Sequence, residues 1–169
     1  IELSVAAADR LAIYSSGNMH TALELVRENP GETWNQPGGR FPVPRALAAD
    51  TAARLDGLSP EARSLLEAAS VLERGARLDT VVRLAGIADP LPLLEECVAS
   101  GLVVVVGTGG NLAMVFPRPI VQVAVYHLIP LSRRLGLHSA AAESSESEGT
   151  ALAHRADATL LSDPALAHL

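Results

Sequence analysis

The chain has 169 residues, of which 49% are hydrophobic, so it can bury a core, and its formal net charge of −6 disfavours general attraction to nucleic-acid phosphates. Aromatic residues make up only 3% of the chain, which leaves leucine, valine and alanine to build the core and favours helices. The single cysteine excludes an internal disulfide framework, and no run approaches the ~20 apolar residues of a membrane span, so we expect a cytoplasmic protein.

Two helices are predicted before a linker. Ser4 can cap the first, which extends to about Tyr14 and is expected to bury Val5, Leu11 and Ile13. The second covers residues 19–28. Residues 29–44 are rich in proline and glycine, which predicts a linker or a long loop.

Helical spacing returns at residue 45 and continues to Gly101. Ser59, Pro60 and Glu61 form a strong helix start, because they combine a capping hydroxyl, a proline without an N–H and an acid near the positive end of the helix dipole. Asp79 is predicted to cap a short helix that ends at Gly86. The next helix, residues 91–100, is expected to bury four residues: Leu91, Leu94, Cys97 and Val98.

The period of the pattern changes at residue 102. Residues 102–106 and 112–116 favour strands, and the glycine-rich residues 107–111 between them predict a β-hairpin. Three helices followed by a hairpin is the order of a winged helix. Two further helices are predicted next, one starting at Pro119 and one capped by Ser132. The predicted fold class is therefore mainly α, a winged-helix domain of three helices plus a β-hairpin, flanked by helical segments.

The order of these segments resembles that of a known family, the large ATP-binding LuxR-type transcriptional regulators of bacteria, which are MalT-like nucleotide-switch ATPases. The segments that carry the resemblance are residues 16–25, 42–55, 58–69, 117–126 and 133–138. The resemblance implies this division of the chain: 1–28, the end of an ATPase helical lid; 29–44, a linker; 45–129, a winged-helix-like domain; 130–143, a following helix; 144–169, a linker and the start of a helical repeat region.

The resemblance also implies a function without catalysis. Members of the family combine a P-loop ATPase, a winged-helix region, helical repeats and a C-terminal helix-turn-helix that binds DNA. Because the chain begins at Ile1 and contains no lysine, hence no P-loop motif, we expect a fragment that is not an enzyme. It would relay the nucleotide state of an ATPase core to a DNA-binding domain outside the chain. Its expected partners are that core and the helical repeats, with no membrane contact; homo-oligomerisation stays open.

Three residues match positions that lie near the nucleotide in related ATPases. The resemblance implies that the parent protein binds ATP or ADP, whereas we expect no cofactor in this chain alone. Those ATPases place a proline against the adenine after a Gly-Asn pair; here Asn18 is followed by Met19. Their winged-helix histidine, which points towards the phosphates, is matched by Arg118. An arginine can still hold a phosphate through two hydrogen bonds.

Two other functions are suggested by parts of the sequence. Residues 103–110 look like a strand entering the glycine loop of an NAD-dependent oxidoreductase, but Leu112 stands where the third glycine belongs and no acid follows before Glu143. A stand-alone DNA-binding winged helix is the closer alternative. Against it, the third helix carries Glu95 and Glu96, predicted to face outwards, and the hairpin tip has no arginine.

The remaining polar residues predict no catalytic or metal site. No two of the five histidines have i,i+4 spacing, so zinc is not expected. Cys97 is interpreted as a packing residue, and His138 as a helix-surface or packing residue. Arg133 and Arg134 are the only adjacent basic pair, either solvated or in contact with phosphate or with a partner's acids. Trp34 either pins the linker to the core or marks a contact surface.

Overall fold

The computed structural model describes residues 3–29, 42–72, 75–145 and 147–162. Within these ranges the chain is mainly helical, with a small two-stranded antiparallel sheet. The elements are, in chain order, α1 Val5–Tyr14, α2 Met19–Glu28, α3 Arg45–Asp56, α4 Pro60–Val71, α5 Leu78–Ala85, α6 Leu91–Ala99, β1 Val104–Val106, β2 Ala113–Val115, α7 Pro119–Leu128, α8 Leu131–Ser144 and α9 Glu148–Ser162. Trp34, most of the predicted linker and the C-terminal end of the predicted helical repeat region lie outside the described residues.

Side-chain caps explain where three of the helices begin. Ser4, Asn18 and Ser59 each accept a hydrogen bond from the backbone N–H three residues ahead, at 3.2, 3.0 and 3.3 Å. At the other end of α5, Gly86 adopts the left-handed conformation, with φ of 71°, that often closes a helix. The predicted starts at Ser4 and Ser59 and the predicted end at Gly86 are thereby confirmed.

Two predicted caps were wrong. Helix α5 begins at Leu78, so Asp79 lies inside its first turn, where its carboxylate binds the Arg77 guanidinium at 2.7 Å. Helix α8 begins at Leu131, directly after Pro130, so Ser132 also lies inside a first turn. In both helices the backbone turns helical before the polar residue that the sequence favoured as the cap.

The buried faces of α1 and α6 differ from the predicted ones. Val5 and Ile13 are 80% and 68% exposed, and Leu91 and Val98 are 65% and 42% exposed. Residues two apart on a helix point in nearly opposite directions, so Leu11 and Ile13 could not share one buried face. The residues that α1 and α6 do bury are Ala7, Leu11, Tyr14, Leu94 and Cys97.

The predicted hairpin is confirmed. β1 and β2 pair antiparallel, with Val104 opposite Val115 and Val106 opposite Ala113. The turn requires glycine at its first position: Gly107 has φ of 100°, and a Cβ there would lie 2.1 Å from the carbonyl oxygen of Asn111. This antiparallel pairing differs from the parallel sheet and glycine-initiated helix of a dinucleotide-binding fold.

A third segment pairs with the outer edge of β2. Residues 76–78 run antiparallel to it through a bridge between Arg77 and Ala113. The Leu78 N–H donates to the carbonyl of Leu112 at 2.8 Å, and the Met114 N–H donates to the carbonyl of Ala76 at 3.1 Å. These bonds attach the sheet to the start of α5.

Helix α4 lies at the centre of the hydrophobic core. Leu65, Leu66 and Ala68 are fully buried, and α4 packs against α5, α6, α7 and α8. Helix α9 packs along α8, to which a short connection joins it. Among the described residues, none of the helices combines the length and the apolar character needed to cross a bilayer.

Candidate functional site

The three residues predicted to face a nucleotide lie in ordinary helix-terminal positions. The Asn18 side chain caps α2, and Met19, the first residue of that helix, is 71% exposed. Arg118 directly precedes α7 and lines a small cleft together with Asp50 and Arg54. Neither Asn18 nor Met19 lines this cleft. A phosphate contact by Arg118 therefore stays a prediction, as does a role for the other two residues.

The third helix of the predicted winged helix, α6, presents an apolar face to solvent. Leu91, Glu95 and Val98 are exposed and follow i, i+4, i+7 spacing, which places them on one side of the helix. We call these three residues the α6 face. Helix α6 contains no arginine or lysine, so this face carries a carboxylate and no cation.

The prediction that Glu96 faces outwards was wrong. Its carboxylate accepts hydrogen bonds from the backbone N–H and from the hydroxyl of Ser59, the latter at 2.7 Å. These two donors lower the pKa of Glu96, because they stabilise its charged form. Glu96 therefore joins α6 to the start of α4, and Glu95 alone supplies the outward charge of the third helix.

Both adjacent arginines bind within the chain. Arg133 donates to the buried Glu67 carboxylate at 3.2 Å and to the hydroxyl of Ser64 at 3.1 Å. The guanidinium of Arg134 lies over the Tyr126 ring, 5.2 Å from its centroid. The pair therefore connects α8 to α4 and α7, although the Arg133 side chain is still 43% exposed.

The Cys97 thiol is a buried packing group, as predicted. The residue has no exposed surface, and its sulfur lies 3.3 Å from the carbonyl oxygen of Ala62. Burial, with a smaller contribution from the negative charge of Glu96, raises the pKa of Cys97 to about 12. A thiol with this pKa stays protonated at neutral pH and is a poor nucleophile.

A polar cluster is buried where α7, α8 and α9 meet. The Tyr126 hydroxyl lies 3.0 Å from Nε2 of His138, and Nδ1 of His138 lies 3.1 Å from Nδ1 of His154. Asp157 adds a carboxylate oxygen 3.8 Å from the same Nδ1 of His138. His138 and His154 are 2% and 6% exposed, so the chain buries two imidazoles in direct contact. We call these four residues the histidine cluster.

Sequence reasoning missed this cluster. His138 and His154 are far apart in sequence, but α8 and α9 fold against each other and place them side by side. One signal was available in the sequence: the two histidines are the same number of residues from the middle of the short connection, so an antiparallel pair of helices brings them to the same level. A second signal was the i, i+3 spacing of His154 and Asp157, which puts both side chains on one face of α9.

A surface groove of about 590 Å³ reaches the histidine cluster. Arg77, Asp79 and Arg83 line one side of it, and residues of α8 and α9 line the other. His154 is also part of the lining, so one imidazole of the cluster borders a space open to solvent. The groove therefore reaches the histidine cluster at His154, whereas His138 and Asp157 are not part of its lining.

Comparisons of the chain with protein-family models, with curated proteins and with solved structures found no match. The resemblance to LuxR-type regulators therefore stays a prediction that rests on the residues quoted for it.

Proposed function

We propose that the chain is a non-catalytic winged-helix module of a LuxR-type transcriptional regulator, acting in the cytoplasm. In this proposal α4, α5 and α6 are the three helices, and β1 and β2 are the wing. The segment at residues 76–78, which pairs with β2 between α4 and α5, supports it. A short strand at that point of the chain is the usual third strand of a winged helix.

The observation that carries the proposed role is the chemistry of the α6 face. A helix that reads DNA needs cations towards the phosphates, whereas Leu91, Glu95 and Val98 offer apolar surface and a carboxylate. The wing continues this character: Val104 and Val106 are 41% and 47% exposed, and the tip between the strands carries no arginine. Such a surface suits contact with another protein.

We propose a P-loop ATPase core as the protein that covers this face. The exposed apolar residues of the N-terminal helices support the same partner, since lid helices pack on an ATPase core. Val5, Ile13 and Met19 are 80%, 68% and 71% exposed, so these two short helices leave three large apolar side chains uncovered. In this account the module transmits the nucleotide state of the core to a DNA-binding domain outside the chain.

A binding measurement with matched variants tests the proposal. The gene should encode a P-loop region upstream, which is produced separately and titrated with the 169-residue chain. We expect a complex whose dissociation constant rises about tenfold or more in Leu91→Asp and Val98→Asp. Leu152→Asp is the control, because Leu152 is 63% exposed but lies on α9.

Two results would overturn the proposal. One is a gene without a P-loop region. The other is the absence of a complex, or a complex that Leu152→Asp weakens as strongly as the two variants of the α6 face do.

A further inference from the structure

We propose that the histidine cluster is a binding site for a divalent transition metal of the zinc class. Its ligands would be His138 from α8 together with His154 and Asp157 from α9. One ligand atom from each of these residues lies within 4.8 Å of the other two. This inference is independent of the proposed role in transcription.

The distances suit a small tetrahedral ion. Zinc–nitrogen bonds of about 2.0–2.1 Å place two ligand atoms of a tetrahedron about 3.3 Å apart. The Nδ1 atoms of His138 and His154 are 3.1 Å apart, and the Asp157 carboxylate oxygen lies 3.8 Å from Nδ1 of His138. An ion between the two ring nitrogens would take the place of the hydrogen bond that now joins them, and small side-chain rotations would complete the site.

Tyr126 supplies the support that a metal-bound histidine ordinarily has. A histidine that binds metal through one ring nitrogen usually donates the N–H of the other to an oxygen, which sets its tautomer and ring orientation. With the metal at Nδ1 of His138, Nε2 carries the proton and donates to the Tyr126 oxygen, 3.0 Å away. The two atoms that this hydrogen bond needs are thus already within bonding distance of each other.

The donor set and the access route define the class of metal. Two imidazoles and one carboxylate suit zinc, cobalt, nickel and copper ions better than magnesium or calcium, which prefer oxygen ligands. Three protein ligands leave a fourth position for water or a small anion, as in exchangeable and catalytic zinc sites. His154 lines the groove, so that position would face solvent, with Arg77 and Arg83 on the far side.

The test uses the full 169-residue chain after treatment with a chelator. Zinc is titrated against a chromogenic competitor, and cobalt is followed by the visible absorption of its tetrahedral complex. We expect one ion per chain, loss of binding in His154→Gln and Asp157→Asn, and about a tenfold weaker complex in Tyr126→Phe. The control is His20→Gln, which changes an exposed histidine that lies 3.3 Å from Glu24 on α2 and should bind as the wild type does.

Asp157→Asn keeps the test decisive if the buried histidine cannot be replaced without loss of structure. The Asp157 side chain is 34% exposed, so its amide should leave the helical circular dichroism unchanged. The proposal is overturned if the folded wild-type chain binds neither zinc nor cobalt. It is equally overturned if folded Asp157→Asn binds both ions as tightly as His20→Gln does.

Discussion

Ser59 and Glu96 connect the N-cap of one helix to the middle of another. The Ser59 hydroxyl accepts a hydrogen bond from the N–H of Ala62, and this bond caps α4. The same hydroxyl donates a hydrogen bond to the carboxylate of Glu96 on α6. The Ser59 backbone N–H donates to the second oxygen of the same carboxylate. One serine therefore begins the central helix of the core and attaches α6, with its exposed face, to that helix.

Replacing Ser59 with alanine should destabilise the fold more than the same replacement of an exposed serine that caps no helix. We expect Ser59→Ala to lower the free energy of unfolding by about 1–2 kcal/mol, since it removes an N-cap. Ser132→Ala is the control: Ser132 is exposed inside the first turn of α8, so its loss should cost less than about 0.5 kcal/mol. Urea denaturation measures both values, and equal losses would contradict the caps as described.

The hairpin tip should tolerate alanine at one glycine and not at another. Gly107→Ala places a methyl group 2.1 Å from a backbone oxygen and imposes a positive φ on alanine, so we expect a loss of more than about 1 kcal/mol. Gly110→Ala meets no atom within 4 Å and should be nearly neutral. Thermal unfolding followed by circular dichroism compares the two, and a neutral Gly107→Ala would show that the turn differs from the one described.

Stability should fall in alkaline solution because of Cys97. Its pKa is raised to about 12 in the folded chain, whereas an unfolded thiol has a pKa of about 8.5. The folded state therefore keeps a proton that the unfolded state loses, and this contribution is complete below pH ~8.5 and declines as pH rises. Between pH ~8.5 and ~10 we expect the free energy of unfolding to drop increasingly steeply, with a slope that approaches roughly 1.4 kcal/mol per pH unit.

The comparison with Cys97→Ala isolates this effect. That variant should be less stable at neutral pH but should lose the slope between pH ~8.5 and ~10. Burial also raises the pKa of Tyr14, but an ordinary tyrosine titrates near pH 10, so its effect begins at higher pH. An unchanged slope in Cys97→Ala would contradict the buried position of the thiol.

DNA binding should be absent even under conditions that favour it. With no cation on α6 and a net charge of −6, we expect no retardation of a DNA duplex in an electrophoretic shift at low salt. As a positive control, Glu95→Arg with Val98→Arg should introduce weak, salt-sensitive binding. A clear shift by the wild-type chain would favour the stand-alone DNA-binding alternative.

Features set by local chemistry could be predicted from the sequence. Ser59 with Pro60, Gly86 and the glycines at the hairpin tip act through their own backbone and near neighbours, so these two helix boundaries and the turn follow from residue type. Asp79 and Ser132 are equally good capping residues by type, yet both lie inside the first turn of a helix. The antiparallel pairing of β1 and β2 follows from the same turn.

Features set by packing could not be predicted in this way. Several apolar stripes on α1 are compatible with a helix, and the surrounding structure selects Ala7, Leu11 and Tyr14 over Val5 and Ile13. The histidine cluster depends on the way α8 and α9 fold together, which the spacing of its histidines about the connection allows but does not by itself determine.

Nucleotide-dependent affinity tests the central claim of a relay most directly. The dissociation constant of the complex between this chain and the upstream ATPase region is measured twice, with saturating ADP and with a non-hydrolysable ATP analogue. A relay requires the two constants to differ, and we expect a ratio of about fivefold or more, since the coupling free energy between two linked sites is typically ~1–3 kcal/mol. Equal dissociation constants in the two nucleotides would contradict the account.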